Sequence, residues 1–189
     1  MDDTRNRILA TALGSFASRG YNAVGVQDIC SASGITKPTM YHHFGSKRGL
    51  LETIAAERYA PFVGEFAERT AYRGSVDDSL MAGMKVFVRS AREEPDFARL
   101  RLALAFSPPD SEEHSVMRPC TERLYATARS VFTAASRDHG NMKGRELPYS
   151  AAFIGTADAC VGLLLAGALD PTDAFVKRMV HHFMHGIFS

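Results

Sequence analysis

Apolar residues recur at helical spacing along almost the whole chain, and this pattern constrains the fold more than any other feature. Near the start, Ile8, Leu9, Ala12, Leu13 and Phe16 follow the i, i+4, i+5 spacing of a single helix face. No segment alternates apolar and polar residues with the period of two that a half-buried strand shows. The sequence therefore predicts an all-α fold of about nine helices.

Glycine, proline and hydroxyl residues divide this pattern into separate helices. Gly20 can end the first helix in a left-handed conformation, and Gly34 supplies a similar turn after the second. Thr36 can cap the third helix, with Pro38 in its first turn, and Ser46 can cap the fourth. Further helices are expected over 76–93, 95–106, 111–139 (interrupted near Pro119), 148–169 and from 170–171 to near Phe188.

This division predicts a small three-helix domain at residues 1–46 and a larger helical domain at residues 47–189. The fourth helix leads from one domain into the other and contains Pro61. Because proline has no N–H, Pro61 cannot donate to the carbonyl of Glu57, which predicts a kink.

Acidic residues are absent from one short part of a chain that is otherwise balanced in charge. The formal net charge is +1, yet no Asp or Glu lies between Asp28 and Glu52, an interval that holds Lys37, Lys47 and Arg48. A near-neutral protein does not coat polyanions along its whole surface. A local patch in this interval could still bind one.

The second and third helices, joined by residues 32–35, have the proportions of a helix-turn-helix. In that motif the first residues of the second of the two helices meet base edges in the major groove of DNA. Here those residues are Thr36, Lys37, Pro38 and Thr39. A carboxylate beside them would face phosphates of like charge, which accounts for the missing acids.

This region resembles the DNA-binding domain of the tetracycline-repressor (TetR) family of bacterial regulators. The matching positions keep their spacing over more than thirty residues: Gly20-Tyr21, Val26, Asp28-Ile29, Gly34-Ile35, Thr39, Tyr41, His43-Phe44, Lys47 and Leu50-Leu51. The resemblance covers about the first third of the chain. It implies a homodimer that binds a palindromic double-stranded DNA operator, with a variable C-terminal domain that binds a small-molecule effector.

The resemblance also implies roles for single residues. Tyr41 and Lys47 would bind phosphates, and Gln27 would reach either the DNA backbone or a base. The residues that would contact bases or the flanking DNA backbone are Thr36, Lys37, Pro38, Thr39 and His42. Tyr hydroxyl and Lys ammonium groups both donate to phosphate oxygens. Val24 departs from the family pattern, which commonly has a capping hydroxyl there, so either Gly25 caps the second helix or that contact is missing.

The cysteines and the apolar runs predict the compartment. Cys30, Cys120 and Cys160 lie far apart without a CxxC pair, which fits neither a disulfide framework nor a thiolate zinc site. The N-terminus has acids where a signal peptide has a basic lead. The longest apolar run, 159–169, is too short to span a bilayer. We therefore expect a cytoplasmic protein that makes no use of a membrane.

The larger domain offers candidates for an effector pocket and for a dimer interface. Aromatic and methionine residues suit a pocket, although the same residue types also form ordinary cores; the candidates are Tyr59, Phe62, Phe66, Met84, Phe87, Phe106 and Tyr125. Small residues and an apolar stripe on the last two helices suit close packing of two copies; the candidates are Gly155, Gly162, Ala166, Phe175, Met179 and Phe183.

The remaining patterns separate the classes of function. His181 and His185 could share a metal ion, but two cations on the same stripe oppose this and favour a solvated face, so we predict no metal and no cofactor. No GxSxG, HExxH or glycine-rich phosphate loop indicates an enzyme. The leading hypothesis is a ligand-responsive repressor released by a small apolar or amphipathic effector; the alternatives are a small-molecule-binding protein with vestigial DNA binding, or an enzyme.

Overall fold

The computed structural model describes residues 3–170 and 172–186, and within these ranges every regular element is a helix. The elements are α1 (Asp3–Arg19), α2 (Val26–Ser33), α3 (Lys37–Phe44), α4 (Lys47–Ile54), a π-helical turn (Ala55–Tyr59), α5 (Ala60–Thr70), α6 (Val76–Glu93), α7 (Pro95–Leu104), α8 (Glu112–Ala135), a 3-10 turn (Gly140–Met142), α9 (Glu146–Leu165) and α10 (Asp173–His185). Since α4, the π turn and α5 are continuous, the described residues form nine helices, and the all-α prediction is confirmed.

The predicted helix ends in the first fifty residues are confirmed by their capping geometry. Gly34 has φ 64° and ends α2 with hydrogen bonds from its N–H to carbonyls of the last turn. The hydroxyl of Thr36 accepts from the N–H of Thr39, and that of Ser46 accepts from the N–H of Gly49 at 2.9 Å. Gly25 caps α2, and the carboxylate of Asp28 accepts from its N–H at 2.8 Å.

Later boundaries differ from the sequence-based expectation. α8 is not interrupted at Pro119, which lies inside a continuous helix of 24 residues. α9 begins two residues earlier and ends four residues sooner than expected, and α10 begins after the N-cap Thr172 rather than at 170–171. The predicted end near Phe188 lies outside the described residues.

One expectation about α9 is wrong. By length and composition alone this helix could cross a membrane, whereas the sequence-based expectation concerns only the apolar run 159–169, which is too short. The difference arises because the helix starts at Glu146 and includes a second apolar segment before that run. Core helices pass the same test, and one face of α9 is buried through Phe153, Ile154 and Ala157, in a helix that packs against α6.

The chain forms two compact units, and the first comprises residues up to Pro61 together with 94–120. In this unit α1 packs against α2, α4 and α7. Its core includes Ile8, Phe16, Ile29, Leu50 and Leu100, none of which is exposed to solvent. The packing unit is thus larger than the segment 1–46 that we predict to be the DNA-binding domain.

The second unit comprises residues 62–93 and 121–189, of which 171 and 187–189 are not described. Here α6 packs against α9 and α10. α5 reaches the same core at Gly83, where an added Cβ would lie 2.9 Å from Thr70, 3.0 Å from the Phe66 ring and 3.2 Å from the Phe153 ring. These short distances show that Gly83 allows the three helices to approach closely.

A π-helical turn lies directly before Pro61, where the sequence predicted a kink. The N–H of Ala60 donates to the carbonyl of Ala55, five residues earlier, instead of four. Pro61 has no N–H to donate to the carbonyl of Glu57. That carbonyl accepts instead from the guanidinium of Arg58 at 3.3 Å. The chain passes from the first compact unit to the second at this point, between Pro61 and Phe62.

Candidate nucleic-acid interface

The turn between α2 and α3 is held by local backbone hydrogen bonds. The N–H of Ile35 donates to the carbonyl of Cys30 at 3.0 Å, and the N–H of Gly34 donates to Ser31 at 3.3 Å. Only glycine adopts the φ of 64° at position 34 without strain. These bonds fix how α3 leaves α2, as a helix-turn-helix requires.

The start of α3 presents its side chains to solvent while the opposite side is buried. Thr36, Lys37 and Pro38 are exposed, whereas Met40 and Phe44 lie in the core of the first unit. The hydroxyl groups of Thr36 and Thr39 are 2.9 Å apart and hydrogen-bond to each other. The start of α3 is therefore exposed to solvent and capped by a local hydrogen bond.

The other predicted contact residues divide into exposed and partly buried ones. Tyr41 is 46% exposed, and His42 and Gln27 are also exposed. His43 is half-buried beside the Phe44 ring, which agrees with a packed position rather than a contact one. Gln27 donates to the hydroxyl of Ser31 at 3.3 Å.

Lys47 has a structural role that the sequence did not reveal. Its ammonium donates to the backbone carbonyls of Tyr21 at 2.8 Å and Val24 at 2.9 Å, and lies 4.1 Å from the centre of the Tyr21 ring. These contacts fasten the loop between α1 and α2 to the start of α4. An ammonium has three N–H donors, so one remains for the predicted phosphate contact.

Arg48 also has protein partners of its own. It donates to the carboxylate of Glu52 at 2.8 Å and to the hydroxyl of Ser115 at 2.9 Å. These partners offset the unfavourable position of a cation in the first turn of α4, where its charge opposes the helix dipole.

Gly49 is a residue of this region that sequence reasoning missed. A Cβ at this position would lie 1.9 Å from the carbonyl oxygen of Phe44 and 3.1 Å from its carbon. No side chain fits there, since the neighbour is backbone. Gly49 thus permits the close approach of α4 to the end of α3, and no local sequence pattern signals it.

The predicted effector residues are divided between the two compact units, and they differ in burial. In the first unit Tyr59 is buried with its ring 5.9 Å from Phe97, while Phe106 is 86% exposed and lies outside the core. In the second unit the Phe87 ring packs edge-on against Phe62 at 5.1 Å and Phe66 at 5.6 Å. Met84 is buried in this unit and Tyr125 is half-buried.

Two cavities of the second unit lie away from that aromatic group. One, of about 560 Å³, is bordered by α5, α6 and α10 and includes Arg69, Lys85 and Arg89. The other, of about 360 Å³, is lined by Phe132, Asn141, Met142, Tyr149, Ala152, Phe183 and Met184. Neither of them is lined by the predicted effector residues.

The predicted dimer residues are only partly covered within the single chain, and the Phe183 ring packs against Phe153 at 5.7 Å. Around Gly155 and Gly162 no atom lies within 4 Å of an added Cβ, and Ala166 is exposed. Phe175, Met179 and Phe183 are half-buried along α10. On α9 the large apolar residue Leu147 is 59% exposed, and Leu163 is 50% exposed.

The histidines of α10 form an exposed stripe. His181 and His185 have ring centres 4.6 Å apart, and both are exposed. In the described part of the chain no group of three or more His, Cys, Asp or Glu side chains is placed to share a metal ion.

The fold and the exposed start of α3 define a helix-turn-helix protein, and comparison with known proteins shows what its first helices are similar to. Residues 8–54 match the family described as bacterial regulatory proteins, tetR family. The transcriptional activator FasR of Mycolicibacterium smegmatis is 28% identical over 141 residues, 74% of this chain and 62% of FasR. The transcriptional repressor KstR2 of Rhodococcus jostii is 36% identical over 67 residues, 35% of this chain and 33% of KstR2.

Solved structures share the fold over nearly the whole chain. A TetR-family regulator from Bordetella parapertussis has a TM-score of 0.80 at 19% identity, covering 100% of this chain and 97% of its own. FadR from Bacillus subtilis, solved with stearoyl-CoA, has a TM-score of 0.78 at 16% identity, covering 96% and 98%. Residues 8–54 thus match the tetR-family domain, and the chain shares the fold of solved TetR-family regulators.

Proposed function

We propose that this chain is a sequence-specific DNA-binding transcriptional regulator of the cytoplasm. The observation that carries the proposal is the start of α3, which is capped by Thr36 and exposed at Lys37 and Pro38, in an interval without acidic residues between Asp28 and Glu52. An exposed helix start without acidic residues can enter the major groove without charge repulsion.

The contacts with DNA divide by chemistry. Thr36, Lys37, Pro38, Thr39 and His42 would face base edges or the flanking backbone, and the exposure of most of them supports this. The Tyr41 hydroxyl and the remaining N–H of Lys47 would donate to phosphates, which position the protein without reading sequence. Gln27 would reach the backbone or a base.

We propose a homodimer built from α9 and α10. Support comes from the open small-residue surface at Gly155 and Gly162, and from Leu147 and Leu163, which are exposed although they are large and apolar. Pairing of the same surface on two copies buries these residues under a two-fold axis. Two copies of α3 would then read two half-sites of a palindromic operator, about 34 Å apart.

We propose that the regulator is a repressor, and that a small apolar or amphipathic effector releases it from its operator. Among the relatives, one is named an activator and another a repressor, so a reporter assay must show whether this chain activates or represses transcription. The stearoyl-CoA complex of FadR makes acyl-CoA the first effector class to test. The pocket residues within the second unit would be Phe62, Phe66, Met84, Phe87 and Tyr125; Tyr59 and Phe106 remain candidates in the first unit.

The π turn offers a route for the signal. Pro61 prevents a regular helix where the chain leaves the first unit, and a π turn is a frequent site of functional bending. To weaken DNA binding tenfold, the effector must favour the non-binding state by about 1.4 kcal/mol.

The test is binding of the purified protein to DNA from beside its own gene, with unrelated DNA of equal length as competitor. We expect a discrete complex that survives the competitor and weakens when an acyl-CoA is added. Loss of the complex to equal amounts of unrelated DNA would contradict sequence-specific binding, and would favour the small-molecule-binding alternative.

A further inference from the structure

Two carboxylates at the start of α8 hold the loop between α1 and α2. The hydroxyl of Tyr21 donates to Glu112, and the side-chain amide of Asn22 donates to Glu113 at 2.8 Å. Glu113 is only 4% exposed. α8 also accepts a bond from α4, since Arg48 donates to the hydroxyl of Ser115.

The position of these acids is unexpected in a DNA-binding unit. Glu112 is exposed, but Glu113 is buried, and a buried carboxylate is costly unless it is hydrogen-bonded. Negative charge near the interface also repels phosphates. The helix N-terminus lowers this cost, because Glu112 and Glu113 lie in the first turn of α8. The remaining compensation must come from what the acids bind, which is the loop at Tyr21 and Asn22.

That loop is also the one to which Lys47 of α4 is bonded. The ammonium of Lys47 rests against the Tyr21 ring and is bonded to the carbonyls of Tyr21 and Val24. Burial and the bond to Glu112 raise the pKa of Tyr21 well above its usual range, so the phenol stays neutral and acts as the donor. One chain of contacts therefore runs from Glu112 through Tyr21 to Lys47.

We propose that Glu112 and Glu113 are positioning residues for DNA binding, which hold the Tyr21–Val24 loop so that Lys47 and α3 keep their geometry. This inference rests on the proposed function, since it concerns operator binding. The same helix continues into the second compact unit, where Leu124, Ala128 and Phe132 are buried.

The test compares variants of this contact with a matched pair in the second unit, where Tyr72 donates to Asp138 at 2.8 Å. Operator binding is measured for wild type, Tyr21→Phe, Glu112→Ala, Glu112→Gln and Tyr72→Phe, each with its melting temperature. Positioning predicts that Tyr21→Phe and Glu112→Ala weaken binding about tenfold. Glu112→Gln keeps an acceptor oxygen and should retain most of the affinity, and Tyr72→Phe should bind as wild type.

The outcomes separate positioning from charge and from folding. If both Glu112 variants tighten binding, the acid merely repels phosphate and the proposal is overturned. It is equally overturned if Tyr21→Phe and Glu112→Ala bind as wild type, or if affinity falls only because the variants unfold at the assay temperature. Failure of the wild type to bind its operator, measured first, would instead refute the proposed function and this inference with it.

Discussion

Replacing Gly49 by alanine should damage the junction between α3 and α4 far more than its sequence suggests. The added Cβ would lie 1.9 Å from the Phe44 carbonyl oxygen, well under any real contact distance, and this neighbour cannot rotate away. Relief requires the backbone to move, although the N–H of Gly49 is bonded to Ser46 and the N–H of Ser46 to Phe44. Overpacking of this kind costs about 1–3 kcal/mol, and a clash with backbone belongs at the upper end.

Gly64→Ala is the matched control, because it makes the same change in a helix where nothing lies within 4 Å of the new Cβ. Alanine is favoured over glycine inside a helix by about 1 kcal/mol, so this variant should be more stable than wild type. For a chain of this size 1 kcal/mol shifts the melting temperature by about 2–4 °C. Thermal unfolding followed by circular dichroism should therefore show shifts of opposite sign.

The reasoning about close approach would be refuted if Gly49→Ala melted at or above the wild-type temperature. It would also be refuted if both variants shifted in the same direction by the same amount, since helix propensity would then explain both.

Three further variants test the interface, the dimer and the signal. Lys47→Ala should reduce the magnitude of the slope of log K against log salt by about two for a symmetric dimer. It should also lower the free energy of unfolding by about 1–3 kcal/mol, because two carbonyls lose their donor. An unchanged slope would leave Lys47 only its structural role. Gly162→Arg should give monomers by light scattering and abolish operator binding, whereas Gly140→Arg, at another open glycine, should stay dimeric; a dimeric Gly162→Arg would place the interface elsewhere. Pro61→Ala restores the missing N–H and should reduce effector-induced release from the operator while effector affinity is kept; full release at saturating acyl-CoA would show that the signal takes another route.

The sequence predicted those features of the interface that depend on neighbours along the chain. The left-handed turn at Gly34 and the caps at Thr36 and Ser46 were foreseen because each involves only a residue's own conformation or an atom three residues away. For the N-cap of α2 the sequence allowed two alternatives, a cap by Gly25 or a missing contact. Gly25 is the N-cap residue, and its N–H donates to the carboxylate of Asp28.

Features that depend on distant parts of the chain could not be predicted. Lys47 has its acceptors 23 and 26 residues away, so its structural role is invisible to a local pattern. Glu112 is 91 residues from Tyr21. Likewise, the sequence did not indicate that Phe106 lies on the surface, because sequence does not show which aromatic residues the tertiary packing leaves uncovered.

The helix α8 continues through Pro119, although local sequence rules predict an interruption at a proline. A proline inside a helix removes one hydrogen bond, and the sequence therefore favoured an interruption. The helix continues across Pro119 for sixteen further residues, from Cys120 to Ala135. Buried residues on that later part, including Leu124, Ala128 and Phe132, supply packing that can offset the lost bond.

Selection of binding sites from randomised DNA tests the central claim most directly, because it requires both sequence reading and two-fold symmetry. The wild-type protein should enrich one palindrome whose half-sites lie about one helical turn apart. The Lys37→Ala variant should enrich a palindrome that differs at the same position of each half-site, since Lys37 is exposed at the start of α3. Enrichment of no sequence, or of an asymmetric single site, by the wild-type protein would contradict the account.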